Sequence, residues 1–232
     1  KEKRKWMKVL GFIALGAVIT QGVLGGITVL YLLPLPISVA HATLAQSFFC
    51  LVVCLKYFTS EEWNSEPKRI SAPATHRNIF IIMAALVYMQ LILGGVVRHS
   101  GAALAIPDFP LANGRLIPEF TTSEIAIHFL HRVGAVLVLI WTFVTAWLVF
   151  GNYRNNSRFM RPTILLIILV LAQIGIGGWT VLSKTAVPVA TAHVAVGALI
   201  LATTVVLVIR SFRYFAISPA VQFSAKQIPG TL

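Results

Sequence analysis

One stretch of this sequence occurs twice. Residues 21–41 read QGVLGGITVLYLLPLPISVAH, and residues 173–193 read QIGIGGWTVLSKTAVPVATAH. The two copies align without a gap at an offset of 152 residues, and each ends in a histidine within an apolar stretch. A shorter third copy, QLILGGVVRH at residues 90–99, repeats only the opening of the motif. The repeat predicts two related halves, each built around an imidazole.

The composition predicts an integral membrane protein. Hydrophobic residues make up 57% of the chain and charged residues only 11%. A bilayer core of about 30 Å requires roughly 20 apolar residues per helix, and only helices or closed barrels satisfy their backbone in lipid. The apolar runs show no alternation with a period of two, so we expect an all-α protein. Six transmembrane helices are predicted, at residues 9–33, 36–57, 78–97, 125–150, 162–183 and 187–209.

The basic residues follow membrane topology rather than a nucleic-acid surface. Although the net charge is +12, fifteen of the nineteen Lys and Arg residues fall on one side of the predicted spans. Since basic residues concentrate in cytoplasmic loops, we expect a multi-pass protein of the bacterial cell membrane with both ends of the sequence in the cytoplasm. Its surroundings are then membrane lipid, with no nucleic acid. The fifteen are Lys1, Lys3, Arg4, Lys5, Lys8, Lys56, Lys68, Arg69, Arg77, Arg154, Arg158, Arg161, Arg210, Arg213 and Lys226.

Three histidines fall at one depth on three different predicted helices. By helical rise, His41, His131 and His193 lie roughly 8–10 Å below the outer surface. Ionisable groups in a membrane are costly and normally face a bundle interior. Zinc would require further ligands, and only His128 lies near that depth. Haem iron accepts one imidazole on each face, which facing helices can supply. Neighbouring Gly-Gly pairs would let a flat macrocycle approach the backbone, or simply permit close helix packing.

Three motifs resemble the haem A synthases. They are GGVVRHSGAALAIPDFPLANG at residues 94–114, HFLHR at residues 128–132, and the two repeated segments. The resemblance covers most of residues 15–205 and implies an oxidoreductase that oxidises the C8 methyl of haem O to a formyl group. The product, haem A, serves terminal oxidases. Members of this family have eight helices in two four-helix halves, each with a His-Arg motif on its second helix and an Ala-His motif on its fourth.

The resemblance also implies a set of metal ligands. His131 and His193 would ligate the iron of a haem b cofactor in a complete C-terminal half, residues 78–210. His41 would ligate the iron of the substrate haem O in an incomplete N-terminal half, residues 1–57. The remaining segments would be a cytoplasmic linker, 58–77, and a cytoplasmic tail, 211–232.

The family's catalytic glutamate and the partner of His41 have no counterpart in this sequence. By the repeat they would precede Lys1, so the catalytic residue is unknown. We expect either that two helices precede the sequence given or that another chain supplies the missing half-site.

Several residues around the outer loop are candidates for supporting roles. The guanidinium groups of Arg98 and Arg132 could bind haem propionates bidentately, or extend toward lipid headgroups. His128, one turn before a presumed ligand, could be a pocket donor or a rival ligand. Many family members carry a cysteine pair in this loop. Ile106 and Ala112 occupy the matching positions here, which excludes thiol chemistry in this loop.

Two other functional classes fit the same residues. The first alternative is a bis-histidine membrane cytochrome b that carries electrons or binds haem without catalysis. It would need only His131 and His193, whereas catalysis also needs His41 and its partner. The second is an accessory subunit without haem. Haem O synthase and terminal oxidase assembly factors are the partners that the enzyme interpretation implies.

Overall fold

The computed structural model describes residues 2–217, and the predicted all-α membrane fold is confirmed. Each of the six spans is a helix long and apolar enough to cross a membrane, and the predicted ends agree to within five residues. Lys1, Lys226 and most of the predicted tail lie outside the described residues. The long helices are α1 (Lys5–Leu30), α2 (Leu35–Phe58), α4 (Ala74–His99), α5 (Ser123–Asn152), α6 (Ser157–Leu182) and α7 (Val187–Tyr214).

The turns of two hairpins repeat one unusual conformation. Leu32 and Leu33, between α1 and α2, have φ values of 55° and 61°, and Lys184 and Thr185, between α6 and α7, have 52° and 62°. Residues other than glycine rarely adopt positive φ. In both turns the second residue donates its amide to the carbonyl five residues earlier, at 2.8 Å. The sequence repeat is therefore a structural repeat, and the turn ends α1 at Leu30 rather than at the predicted residue 33.

Helices α4 to α7 form a four-helix bundle. Helix α4 packs on α5 and α7, and α6 packs on the same two helices. The α1–α2 hairpin joins the bundle through α2, which contacts α4 and α7. We call the two ends of the molecule the loop face and the terminal face. The loop face carries residues 31–34, 100–122 and 183–186, and the terminal face carries residues 59–73, 153–156 and 215–217.

The terminal face contains ordered structure where the sequence predicted a linker and a tail. A short helix, α3 (Glu61–Asn64), follows α2, and strand β1 (Ile70–Ala72) pairs in parallel with β2 (Phe215–Ile217). Helix α7 continues to Tyr214, so the predicted boundary at residue 211 falls inside a helix. The strand pair ties the segment before α4 to the end of α7.

Glu62 on α3 connects several elements at this face. Its carboxylate accepts hydrogen bonds from Arg210 at 3.0 and 2.6 Å and from the Tyr57 hydroxyl at 3.0 Å. Arg158 lies 3.7 Å away. Burial raises the pKa of Glu62, but the hydrogen bonds and charge of Arg210 outweigh it, and the pKa lies below its ordinary value. Arg158 and Arg210, which the sequence assigned to topology alone, also hold this face together.

Candidate functional site

Each of the three long hairpins packs a histidine of its second helix against a glycine of its first. A Cβ atom added at any of these glycines would lie 3.0 or 3.1 Å from the histidine Cε1, which is closer than nearly all real contacts. The pairs are Gly25 with His41, Gly94 with His131, and Gly177 with His193. The first glycine of each Gly-Gly pair therefore makes room for an imidazole ring. This role was not predicted from the sequence.

A glutamine one turn before each of these glycines contacts the same histidine. The amide nitrogen lies 3.1–3.4 Å from a ring nitrogen in all three hairpins. In the first two hairpins it also donates to the histidine's backbone carbonyl, at 3.1 and 2.8 Å. The pairs are Gln21 with His41, Gln90 with His131, and Gln173 with His193. The repeated spacing of Gln and Gly was visible in the sequence, but the contact across the hairpin was not.

The second ring nitrogen of each histidine has no partner within the described residues. Nδ1 of His41 and of His193 is buried without a hydrogen bond, and Nε2 of His131 makes none. Leaving a buried polar atom unsatisfied costs about 1–3 kcal/mol, so the buried Nδ1 atoms of His41 and His193 favour a ligand.

His131 and His193 are close enough to interact electrostatically, so the structure brings these two predicted residues together. In the part of the chain that the structure describes, no group of three or more His, Cys, Asp or Glu side chains could hold a metal ion. Two imidazoles from facing helices, each with one ring nitrogen held and one free, are a donor set that haem iron takes. His41 lies within electrostatic range of His99.

Arg132 and His128 fasten the long loop of residues 100–122 to α5. Arg132 donates to the carbonyls of Leu111 at 2.7 Å, Ile106 at 3.0 Å and Asp108 at 2.8 Å. Nδ1 of the buried His128 accepts the Ile106 amide at 3.3 Å. The two side chains are one helical turn apart and act on the same segment. Because their partners are backbone groups, which every residue carries, no sequence pattern could predict this role.

The fastened loop covers the bundle beside the paired histidines. Ile106 and Ala112, at the cysteine positions of the family, are buried, with 0% and 2% of their surface exposed. The Phe109 ring packs on Gly178, where an added Cβ would lie 2.6 Å from Cδ1, and Gly178 directly follows the glycine that contacts His193. Arg98, at the end of α4, is exposed and makes no hydrogen bond within the described residues.

The loop also contains a turn organised by Asp108. Its two carboxylate oxygens accept the amides of Asn113 at 2.7 Å and Gly114 at 2.8 Å. Both of those residues have positive φ, 55° and 75°, which Asn and Gly tolerate best. The Gly114 and Asn113 amides lower the pKa of the Asp108 carboxyl below its ordinary value.

We expect Asp108→Asn to speed hydrogen exchange across residues 105–115 at neutral pH, measured by mass spectrometry. A carboxyl with a lowered pKa stabilises the fold above its ordinary pKa and loses this effect as the pH falls through the lowered value. The difference between variant and wild type should therefore vanish at acidic pH. Glu119→Gln is the matched control, because the Glu119 side chain pairs with the exposed Arg115 and such surface pairs contribute little. Equal exchange in all three proteins at neutral pH would contradict the role of Asp108.

Comparison with known proteins places the chain in a family. The COX15-CtaA family model, described as "Cytochrome oxidase assembly protein", matches residues 1–205. A protein named heme A synthase from Halalkalibacterium halodurans is 29% identical over 196 residues, which cover 84% of this chain and 65% of the relative. Another of that name from Shouchella clausii is 28% identical over 182 residues, 77% of this chain and 60% of the relative.

A third protein of that name, from Listeria welshimeri, is 25% identical over 193 residues, which cover 83% of this chain and 63% of the relative. The chain thus spans less than two thirds of the length of these curated relatives. The resemblance found in the repeated segments and the loop motif is confirmed. Since the family model matches most of its length, the chain belongs to the COX15-CtaA family of cytochrome oxidase assembly proteins.

Proposed function

We propose that this chain acts in haem A synthesis, oxidising the C8 methyl of haem O to the formyl group of haem A. The observation that carries the proposal is the pair His131 and His193, each seated on a glycine with one ring nitrogen held and the other free. Family membership and the printed name of the relatives point to the same activity. The haem A would serve a terminal oxidase.

In this proposal the α4–α7 bundle holds haem b through His131 and His193, and the α1–α2 hairpin presents His41 to haem O. The bound haem supplies the redox chemistry. The chain's own residues position it: the glutamine amides orient the imidazoles, and the loop packed through Phe109 and Gly178 limits the access of water. Arg98, whose guanidinium makes no hydrogen bond to the residues that the structure describes, suits a propionate.

Arg132 and His128 act around the same site. Two nitrogens of the Arg132 guanidinium already bind loop carbonyls, so any contact of Arg132 with a propionate would use its remaining donors. His128 serves the pocket by holding the loop through the Ile106 amide.

The same proposal sets the orientation of the protein in a bacterial cell membrane. The terminal face, which carries most of the basic residues, lies in the cytoplasm. The three histidines then lie near the outer leaflet, roughly 9–12 Å from the helix ends at the loop face by helical rise. Haem O synthase and terminal oxidase assembly factors are the expected partners for delivery and use of the haem.

A second candidate function is an electron-carrying cytochrome b. The observation in its favour is that His131 and His193, two glycine-seated histidines of the α4–α7 bundle, lie close enough to interact electrostatically. His41 is the single glycine-seated histidine of the α1–α2 hairpin.

Expression of the chain in cells that make haem O but no haem A distinguishes the two functions. Extracted haems would be identified by liquid chromatography and mass spectrometry, with membranes from cells carrying an empty vector as the control. Appearance of haem A supports the synthase. A purified protein with a low-spin b-type spectrum but no haem A in the membranes would instead support the carrier.

A further inference from the structure

We propose that Gln90 and Gln173 are positioning residues that fix the ring orientation and basicity of His131 and His193. Each belongs to a set of four residues, two from each helix of a hairpin. We call this set of four residues the cradle. The first helix supplies a glutamine and a glycine four residues later, and the second supplies the histidine and a glycine three or four residues later. The inference rests on the proposed haem site and adds residues to it.

The contacts within a cradle are reciprocal. The glycine of the first helix makes room for the imidazole, as described above, and the glycine of the second makes room for the glutamine. A Cβ atom at Gly134 would collide with Oε1 of Gln90, and one at Gly197 would lie 3.1 Å from Cδ2 of Leu91 and 3.2 Å from Nε2 of Gln173. Residues three and four apart share one helix face. Each helix therefore offers the other one side chain and one gap in both hairpins.

An amide beside an imidazole can select the nitrogen that binds a metal. When iron takes one ring nitrogen, the other carries a proton and needs an acceptor, and such outer partners raise the basicity of the ligand. The glutamine amide offers both a donor and an acceptor. Oε1 of Gln173 is buried without a partner when Nε2 faces the ring. Exchanging the amide oxygen and nitrogen would give that oxygen the ring N–H.

The α1–α2 hairpin carries an incomplete version of the cradle. Gln21 and Gly25 contact His41 as in the other hairpins, but the positions three and four after this histidine are Leu44 and Ala45. The two complete cradles thus coincide with the two histidines proposed to hold a resident cofactor.

The test compares Gln90→Leu, Gln173→Leu and Gly134→Ala with wild type in the full, haem-loaded protein. Leucine has a similar size but no hydrogen bond, and the Gly134→Ala methyl displaces Gln90. We expect haem affinity to fall about 10- to 100-fold, the usual cost of losing an outer partner. At saturating haem, the midpoint potential should rise in the leucine variants and fall in Gln173→Glu, because the carboxylate is a stronger acceptor. Gly134→Ala and Gln90→Leu combined should shift it no further than either alone.

Gly95→Ala and Gly175→Ala are the matched controls. An added Cβ at Gly95 meets only Val39 at 3.8 Å, and one at Gly175 meets nothing within 4 Å. Both controls should keep the wild-type potential. An unchanged potential in both leucine variants would overturn the inference while leaving the haem proposal intact.

A second measurement needs no haem and separates the two proposals. In haem-free protein labelled with ¹⁵N, the ring nitrogens of His131 report its tautomer, which Gln90→Leu should change. If the wild-type protein binds no low-spin haem, the proposed function is contradicted. The tautomer measurement would still show whether Gln90 orients the His131 ring. Identical His131 ring signals in wild type and Gln90→Leu would overturn the inference that Gln90 is a positioning residue.

Discussion

Replacing His131 or His193 with alanine should abolish the low-spin haem spectrum of the purified protein. Low-spin haem needs an axial ligand on each face of the iron, and these two imidazoles lie close enough to interact electrostatically. The loss of haem affinity should exceed the roughly 100-fold that an outer partner contributes. Absorption and electron paramagnetic resonance spectra measure the result. Methionine at either position should shift the spectrum rather than remove it, because a thioether can still ligate iron.

His76→Ala is the control for this experiment. His76 lies near the terminal face and hydrogen-bonds the Tyr153 hydroxyl at 2.6 Å, away from the glycine-seated rings. Its removal should leave the haem spectrum unchanged. If both the His131 and the His193 variants keep the wild-type spectrum, the haem b assignment is wrong.

His41→Ala should reduce haem A production to background while leaving the b-type spectrum largely intact. The two effects separate because His41 belongs to the α1–α2 hairpin, whereas the paired histidines belong to the α4–α7 bundle. Haem A extracted from membranes measures conversion, and the absorption spectrum measures the bound cofactor. Normal conversion by this variant would make His41 a packing residue and favour the electron carrier.

The glycines of the α1–α2 hairpin supply a matched pair for the same test. A Cβ at Gly25 would lie 3.1 Å from the His41 ring, whereas one at Gly26 meets nothing within 4 Å. Gly25→Ala should therefore impair conversion, and Gly26→Ala should not. Equal activity of the two variants would indicate that the ring position of His41 is unimportant.

Hydropathy and the repeat were enough to predict the six helices and the three special histidines. The helices follow from long apolar runs, which have few alternatives in lipid. The histidines stand out because burying a titratable side chain in a membrane costs free energy, and such side chains are usually kept for a function. Both signals are local in the sequence, so they can be interpreted without knowing which helices are in contact.

The contacts that define the site could not be predicted in the same way. Arg132 and His128 bind backbone groups of the loop. Nearly every residue carries the same backbone groups, so the residue types do not reveal these contacts. Gln90 was visible as part of a repeat, but its contact with His131 depends on how two helices pack. Glu62 lies in the segment predicted to be a linker, and its hydrogen bonds from Arg210 across the terminal face depend on how α3 and α7 pack.

The placement of the cradles has a consequence for assembly. Every cradle joins two consecutive helices, so each hairpin can complete its own glutamine–histidine contact as soon as it has entered the membrane. His131 and His193, however, belong to different hairpins. A haem bound between them would bridge two units that form separately. We therefore expect the cofactor to act as a late clamp on the bundle, whose removal loosens the contact between hairpins before it unfolds either one.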